Sequence, residues 1–145
     1  MRILTTLLFS FFACAAMAQN PVLGKWKTID DETGRIKSIV EITERNGKLY
    51  GKVVELFRLP DEDQNPICTD CTDDRKNKPA LGMEIVRDMV QDGKALEWED
   101  GTICDPKNGK VYECAMWFEE GEMDELKVRG YIYFLYRTQT WLRVK

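Results

Sequence analysis

Apolar and polar residues alternate along most of this chain in short runs, broken by Gly, Asn, Asp and Pro. Period-two alternation bounded by turn residues is the pattern of an antiparallel meander. The runs predict strands over residues 22–29, 35–44, 48–56, 82–89, 95–104, 110–118, 126–131 and 138–144. Asn46-Gly47 divides the second run from the third and suits a two-residue hairpin, because both residues tolerate positive φ. That turn sets the register. Val40 then faces Val53 and Ile42 faces Gly51 on one side, while Glu41 faces Lys52 and Thr43 faces Tyr50 on the other. One face is apolar and the other carries an ion pair, as a sheet with one wet side requires. Over residues 82–90 the spacing of Met83, Val86 and Val90 also fits a short helix, so strand and helix both stay open there. About eight strands in sequence order, joined mostly by short turns, suit an all-β fold, an antiparallel up-and-down β-barrel.

Residues 58–79 break the rhythm. They are polar, hold Pro60, Pro66 and Pro79, and contain Cys68-Thr69-Asp70-Cys71. A loop of that length is uncommon unless it is functional or stapled. Asp105-Pro106-Lys107-Asn108-Gly109 is a turn, and residues 119–125 read as a charged hairpin turn.

The first eighteen residues have the layout of a secretory signal: Arg2, an apolar run to Phe12, then Ala16-Met17-Ala18, with cleavage expected before Gln19. Lipidation at Cys14 competes with this, but Phe11-Phe12-Ala13 lacks the aliphatic residue such a site needs three places earlier. Cleavage leaves one domain over residues 19–145. Its charge is −5, the whole-chain −4 less the one charge of Arg2. An acidic surface without a basic block argues against nucleic acid and anionic membrane as partners. No later apolar stretch is long enough to form a spanning helix. The expected location is periplasmic or secreted.

Four cysteines remain after cleavage: Cys68, Cys71, Cys104 and Cys114. In an oxidising compartment they are disulfide candidates, with three pairings possible. Cys68-x-x-Cys71 reads better as a loop staple than as a redox pair, because Asp70, Asp73 and Asp74 disfavour a thiolate. A Cys104–Cys114 bridge requires a bulge at Gly109. Without one the two point to opposite sides, and cross-pairing with the 68–71 loop gains ground. No metal is expected. The Cys104/Cys114 spacing is wrong for zinc and there is no histidine. The run from Asp61 to Asn65 starts like a calcium loop but has Pro66 and Thr72 where glycine and glutamate are needed.

The missing histidine also removes the usual base for a serine or cysteine nucleophile. Glu97, Glu99 and Asp100 flank Trp98, but Glu97 and Glu99 fit an ordinary wet strand face. No catalytic residue and no cofactor is expected.

Gly24-Lys25-Trp26 opens the first strand and Arg143 sits in the last. This arrangement resembles the lipocalin and calycin signature, in which the indole plugs the closed barrel end under the arginine. Further motifs extend the likeness: Thr28-Ile29-Asp30-Asp31 with Gly34, the stretch from Asn46 to Lys52, Cys68-x-x-Cys71 and Leu81-Gly82-Met83. They continue with Asp105-Pro106-x-Asn108-Gly109-Lys110-x-Tyr112, then Leu126 to Tyr131, and finally Arg137 to Trp141. In this order they resemble a family of small exported bacterial proteins, domain of unknown function 2147. The resemblance implies a lipocalin-like barrel with no established reaction. Tyr133 departs from the family pattern, which has glycine there.

Aromatics crowd the second half, and an eight-stranded barrel is just wide enough to be filled or to hold one small ligand. Trp98, Tyr112, Trp117, Tyr131 and Tyr133 are the candidate cavity lining. The leading expectation is non-catalytic binding of a small apolar or amphipathic molecule. A filled barrel acting as a structural or interaction module, and a thiol-redox protein using Cys68 and Cys71, are the alternatives.

Overall fold

The computed structural model describes residues 19–145. The expected signal segment, residues 1–18 with Cys14, lies outside the described residues. Eight strands follow one another: β1 (Gly24–Ile29), β2 (Ile36–Arg45), β3 (Lys48–Leu56), β4 (Glu84–Gln91), β5 (Glu97–Cys104), β6 (Val111–Phe118), β7 (Glu125–Ile132) and β8 (Leu135–Arg143). Each pairs antiparallel with the next, and β8 returns to β1, closing the barrel. The closing seam is short, with Trp26 opposite Arg143 and Lys27 opposite Leu142.

The Asn46-Gly47 turn behaves as its composition requires, with φ of 52° and 76°. It delivers the expected register: Val40 opposite Val53, Glu41 opposite Lys52, Ile42 opposite Gly51 and Thr43 opposite Tyr50. Val40, Ile42 and Val53 are buried inside.

Residues 82–90 contain no helix; Glu84–Gln91 is a strand. Its helix-like spacing has a physical cause. A bulge at Asp88 (φ 59°) places Val86 and Met89, three residues apart, opposite Gly51 and Leu49 respectively, two apart. Both Val86 and Met89 are fully buried. The inserted residue converts a spacing of two into three. β5 bulges alongside at Asp100 (φ 61°). There a Cβ on Gly101 would stand 2.4 Å from the Arg87 carbonyl oxygen, so only glycine fits.

β8 begins at Leu135, earlier than its pattern suggests, because the β7–β8 hairpin turns on Tyr133-Phe134 with no Gly, Asn or Pro in the turn itself. β1 begins at Gly24, since the Leu23 N–H turns back to the Asn20 carbonyl.

The long β3–β4 connection, residues 57–83, folds into a flap stapled by a Cys68–Cys71 disulfide. Cys104 and Cys114 are free and buried. A bridge between them does not form. Cys104 pairs with Val111 and Cys114 with Gly101, three positions along β5, so strand alternation turns them to opposite faces. The turn at 105–110 carries no shift that would correct the parity.

Candidate functional site

The two ends of the barrel differ. At one end the chain before β1 and the β6–β7 turn close over Trp26, which is fully buried. Its indole N–H donates to the Val22 carbonyl at 2.9 Å. Phe118 packs on Trp26 at 5.8 Å between centroids and on Trp98 at 6.0 Å, forming a solid aromatic layer. Arg143 seals it, donating to the carbonyls of Pro21 (2.7 Å) and Met123 (2.8 Å).

The other end is hollow. A cavity of about 1020 Å³ runs from a floor of Val53, Val128 and Trp141 past Ile103 and Tyr112 to the rim. This lies at the upper end of the range for small-molecule sites. Glycine creates part of the room. A Cβ on Gly130 would lie 3.3 Å from that of Tyr112, so the bare backbone lets the tyrosine lie across β7.

Two hydrogen bonds join polar side chains on the wall. The hydroxyls of Thr28 and Ser38 share a hydrogen bond of 2.7 Å. Gln139 Oε1 accepts from the Trp141 indole N–H at 3.2 Å. The rim carries charge of both signs, with Arg35, Arg58 and Lys107 beside Asp30, Glu62 and Asp105. Such a site can solvate an apolar body along its wall and meet a polar end at the mouth.

Of the five aromatics expected to line a cavity, Tyr112 alone is on the wall. Trp98 belongs to the packed closed end, 2% exposed. Trp117 and Tyr131 alternate with the inward residues Met116 and Gly130 and therefore face outward. There the Arg129 guanidinium stacks on Trp117 (4.8 Å), Tyr131 (5.9 Å) and Tyr136 (4.2 Å), making an outer-surface cluster. Tyr133 projects from the hairpin tip, 95% exposed. The wall also holds Thr28, Ser38, Ile103 and Gln139, which carry no aromatic signal in the sequence. Counting by twos from Trp26 and Tyr112 finds Thr28 and the inward face of β6.

The flap borders the mouth through Pro66, Ile67 and Ala80. Arg75, 4% exposed, anchors it, donating to the Asp73 carboxylate and to the Glu84 carbonyl. The Arg75 hydrogen bonds hold the Asp73 carboxyl down at about 2. Arg87 forks onto both Asp74 oxygens at 2.7 and 2.8 Å.

A closed eight-stranded antiparallel barrel, plugged by a tryptophan under an arginine and hollow at the far end, defines a lipocalin-like protein. The chain belongs to the family described as uncharacterized protein conserved in bacteria, DUF2147, whose pattern matches residues 24–143. A similar solved structure is protein HP1028 from Helicobacter pylori, described as belonging to the lipocalin family. The two share 20% identity and a TM-score of 0.68, over 85% of this chain and 82% of that one. No curated protein matches the sequence.

Proposed function

We propose that this domain is a non-catalytic carrier that holds one small apolar or amphipathic molecule in the cell envelope. The observation that supports this most directly is the cavity: about 1020 Å³, walled mainly by apolar side chains, sealed below and open above. A hollow of that kind forgoes packing that a barrel built only for stability would make. The few hydroxyls on the wall and the mixed charge at the rim suit a ligand with one polar end. The amino-terminal eighteen residues, with their apolar run and Ala16-Met17-Ala18, support export to the periplasm or beyond.

The alternatives fare less well. A module with a filled barrel has no use for the hollow half. A thiol-redox protein needs a sulfur its partner can reach, and Cys68 and Cys71 are bonded to each other and 0% and 2% exposed.

Native mass spectrometry of protein purified from its own envelope tests the carrier reading. A reproducible added mass, lost on organic extraction and displaced by an apolar fluorescent dye, supports it. A bare mass in every preparation, together with no dye binding, would sink it.

A further inference from the structure

Three sulfurs meet beneath the flap. Cys68 and Cys71 are joined, and the free thiol sulfur of Cys104, at the end of β5, stands 3.9 Å from the Cys71 sulfur. All three residues are buried. The approach is held from outside the cluster as well. Gly109, in the β5–β6 turn, presses so close to the flap that a Cβ there would lie 2.2 Å from the Asp70 carbonyl oxygen and 2.5 Å from the Cys71 nitrogen. The Arg75 hydrogen bond to the Glu84 carbonyl and the Arg87–Asp74 ion pair fasten the same part of the flap to β4.

We propose that Cys104 is an internal exchange site, at which the disulfide moves from Cys68–Cys71 to Cys71–Cys104. The Cys104 thiol gives up its proton, and its sulfur attacks the Cys71 sulfur. The Cys71–Cys104 bond forms, the Cys68–Cys71 bond breaks, and the Cys68 sulfur leaves as a thiolate that takes up a proton. One disulfide is present before and after, so no oxidant or reductant is consumed. Each form has two free thiols: Cys104 and Cys114 before, Cys68 and Cys114 after.

The exchange changes what the bond ties together. Cys68–Cys71 is a staple within the flap. Cys71–Cys104 fastens the flap covalently to the barrel wall, beside Ile103, Asp105 and the flap residues Pro66 and Ala80 that border the cavity mouth. The flap is then tied to its dock. Cys114 takes no part, since it points to the other face of the sheet.

Attack requires the thiolate. Burial raises the Cys104 pKa, the Arg75 and Arg87 charges lower it, and Asp73 and Asp105 raise it. Exchange is therefore expected to speed up toward alkaline pH.

The test uses the native mature protein. It is held at neutral pH and at about pH 9, quenched in acid, labelled with a maleimide in acidic denaturant, and mapped by peptide mass spectrometry. The expected result is label appearing on Cys68 as it falls on Cys104, faster at the higher pH, with the total constant at two per chain. Cys68→Ser, prepared under oxidising conditions, is expected to carry a Cys71–Cys104 bridge and one label, on Cys114. Label confined to Cys104 and Cys114 in the wild-type protein at both pH values overturns the proposal, whatever the variant does. This outcome is independent of whether the barrel carries a ligand.

Discussion

Arg143 and Trp26 face each other across the seam where β8 meets β1, the guanidinium carbon 4.3 Å from the indole centroid. The same arginine donates to two main-chain carbonyls and to Asp124. One side chain therefore joins the chain before β1, the first strand and the β6–β7 turn.

Replacing Arg143 by Ala removes a cation–π contact of about 1 kcal/mol. It also leaves carbonyl oxygens short of a donor, at roughly 1 kcal/mol each. A loss of about 2–4 kcal/mol in urea unfolding is expected, and Arg143→Lys should recover only part of it, since an ammonium lacks the planar fork. A change below about 0.5 kcal/mol would show that the closed end is held by Trp26 packing alone.

Filling the cavity floor tests where a ligand sits. Val128 is buried and its side chain meets the hollow. Val128→Phe projects a ring into that space, so the cost should stay toward the low end of the 1–3 kcal/mol usual for overpacking. Binding of an apolar fluorescent dye is expected to weaken at least tenfold, roughly 1.4 kcal/mol. Trp117→Ala, on the outer face, should leave dye binding unchanged. Equal effects of the two would place the dye elsewhere.

How far these positions could be read from the sequence depends on what fixed them. The closed end was legible, because Gly24-x-Trp26 and Arg143 sit at the two ends of a chain whose first and last strands must pair. The β2–β3 register was legible from Asn46-Gly47 as far as Val40; beyond it a bulge shifts the pairing, and Ile39 stands opposite Glu55. The cavity lining was not. Aromatic richness in the second half marks residues without saying which way they point, and a single step of parity separates Met116 inside from Trp117 outside. The β4 strand was obscured by its own bulge. The Cys71–Cys104 approach was legible only as the closeness to the 68–71 loop that a turn without a bulge favours; which cysteine meets which depends on how a 27-residue connection folds back on β5.

The anchor of that connection should be sensitive to acid. In the folded chain Arg75 lowers the Asp73 carboxyl to about 2 from an ordinary 3.8. A depressed carboxylate contributes stability that is complete above the ordinary value and lost as pH falls through the depressed one. The expected loss therefore spans about pH 4 to 2. Urea midpoints measured across that window should fall for the wild type and fall less steeply for Asp73→Asn, which starts lower at neutral pH because Arg75 loses its counter-charge. Parallel slopes would remove Asp73 from the account.

The β7–β8 turn stores strain at Tyr133. Its φ is 52°, a conformation bulky residues avoid, and its ring is 95% exposed and supports no core. Asn tolerates this region. Tyr133→Asn is expected to raise stability by about 0.5–1 kcal/mol. A loss instead would mean that the tip makes contacts worth more than the strain.

Gly109 should prove the least replaceable residue of the β5–β6 turn. Its φ is 71°, and a methyl group there would overlap Asp70 and Cys71 main-chain atoms. Neither partner is the end of a flexible side chain, so relief requires the turn and flap to separate. Gly109→Ala is expected to cost more than about 2 kcal/mol, combining left-handed backbone strain with the lost contact. The separation has its own signature, because Cys104 is sheltered by the flap and Cys114 by the barrel wall. Maleimide labelling of the folded variant should quicken at Cys104 and stay slow at Cys114. Acceleration at both sites would indicate global unfolding, and acceleration at neither would mean that the flap keeps its dock without the close approach at Gly109.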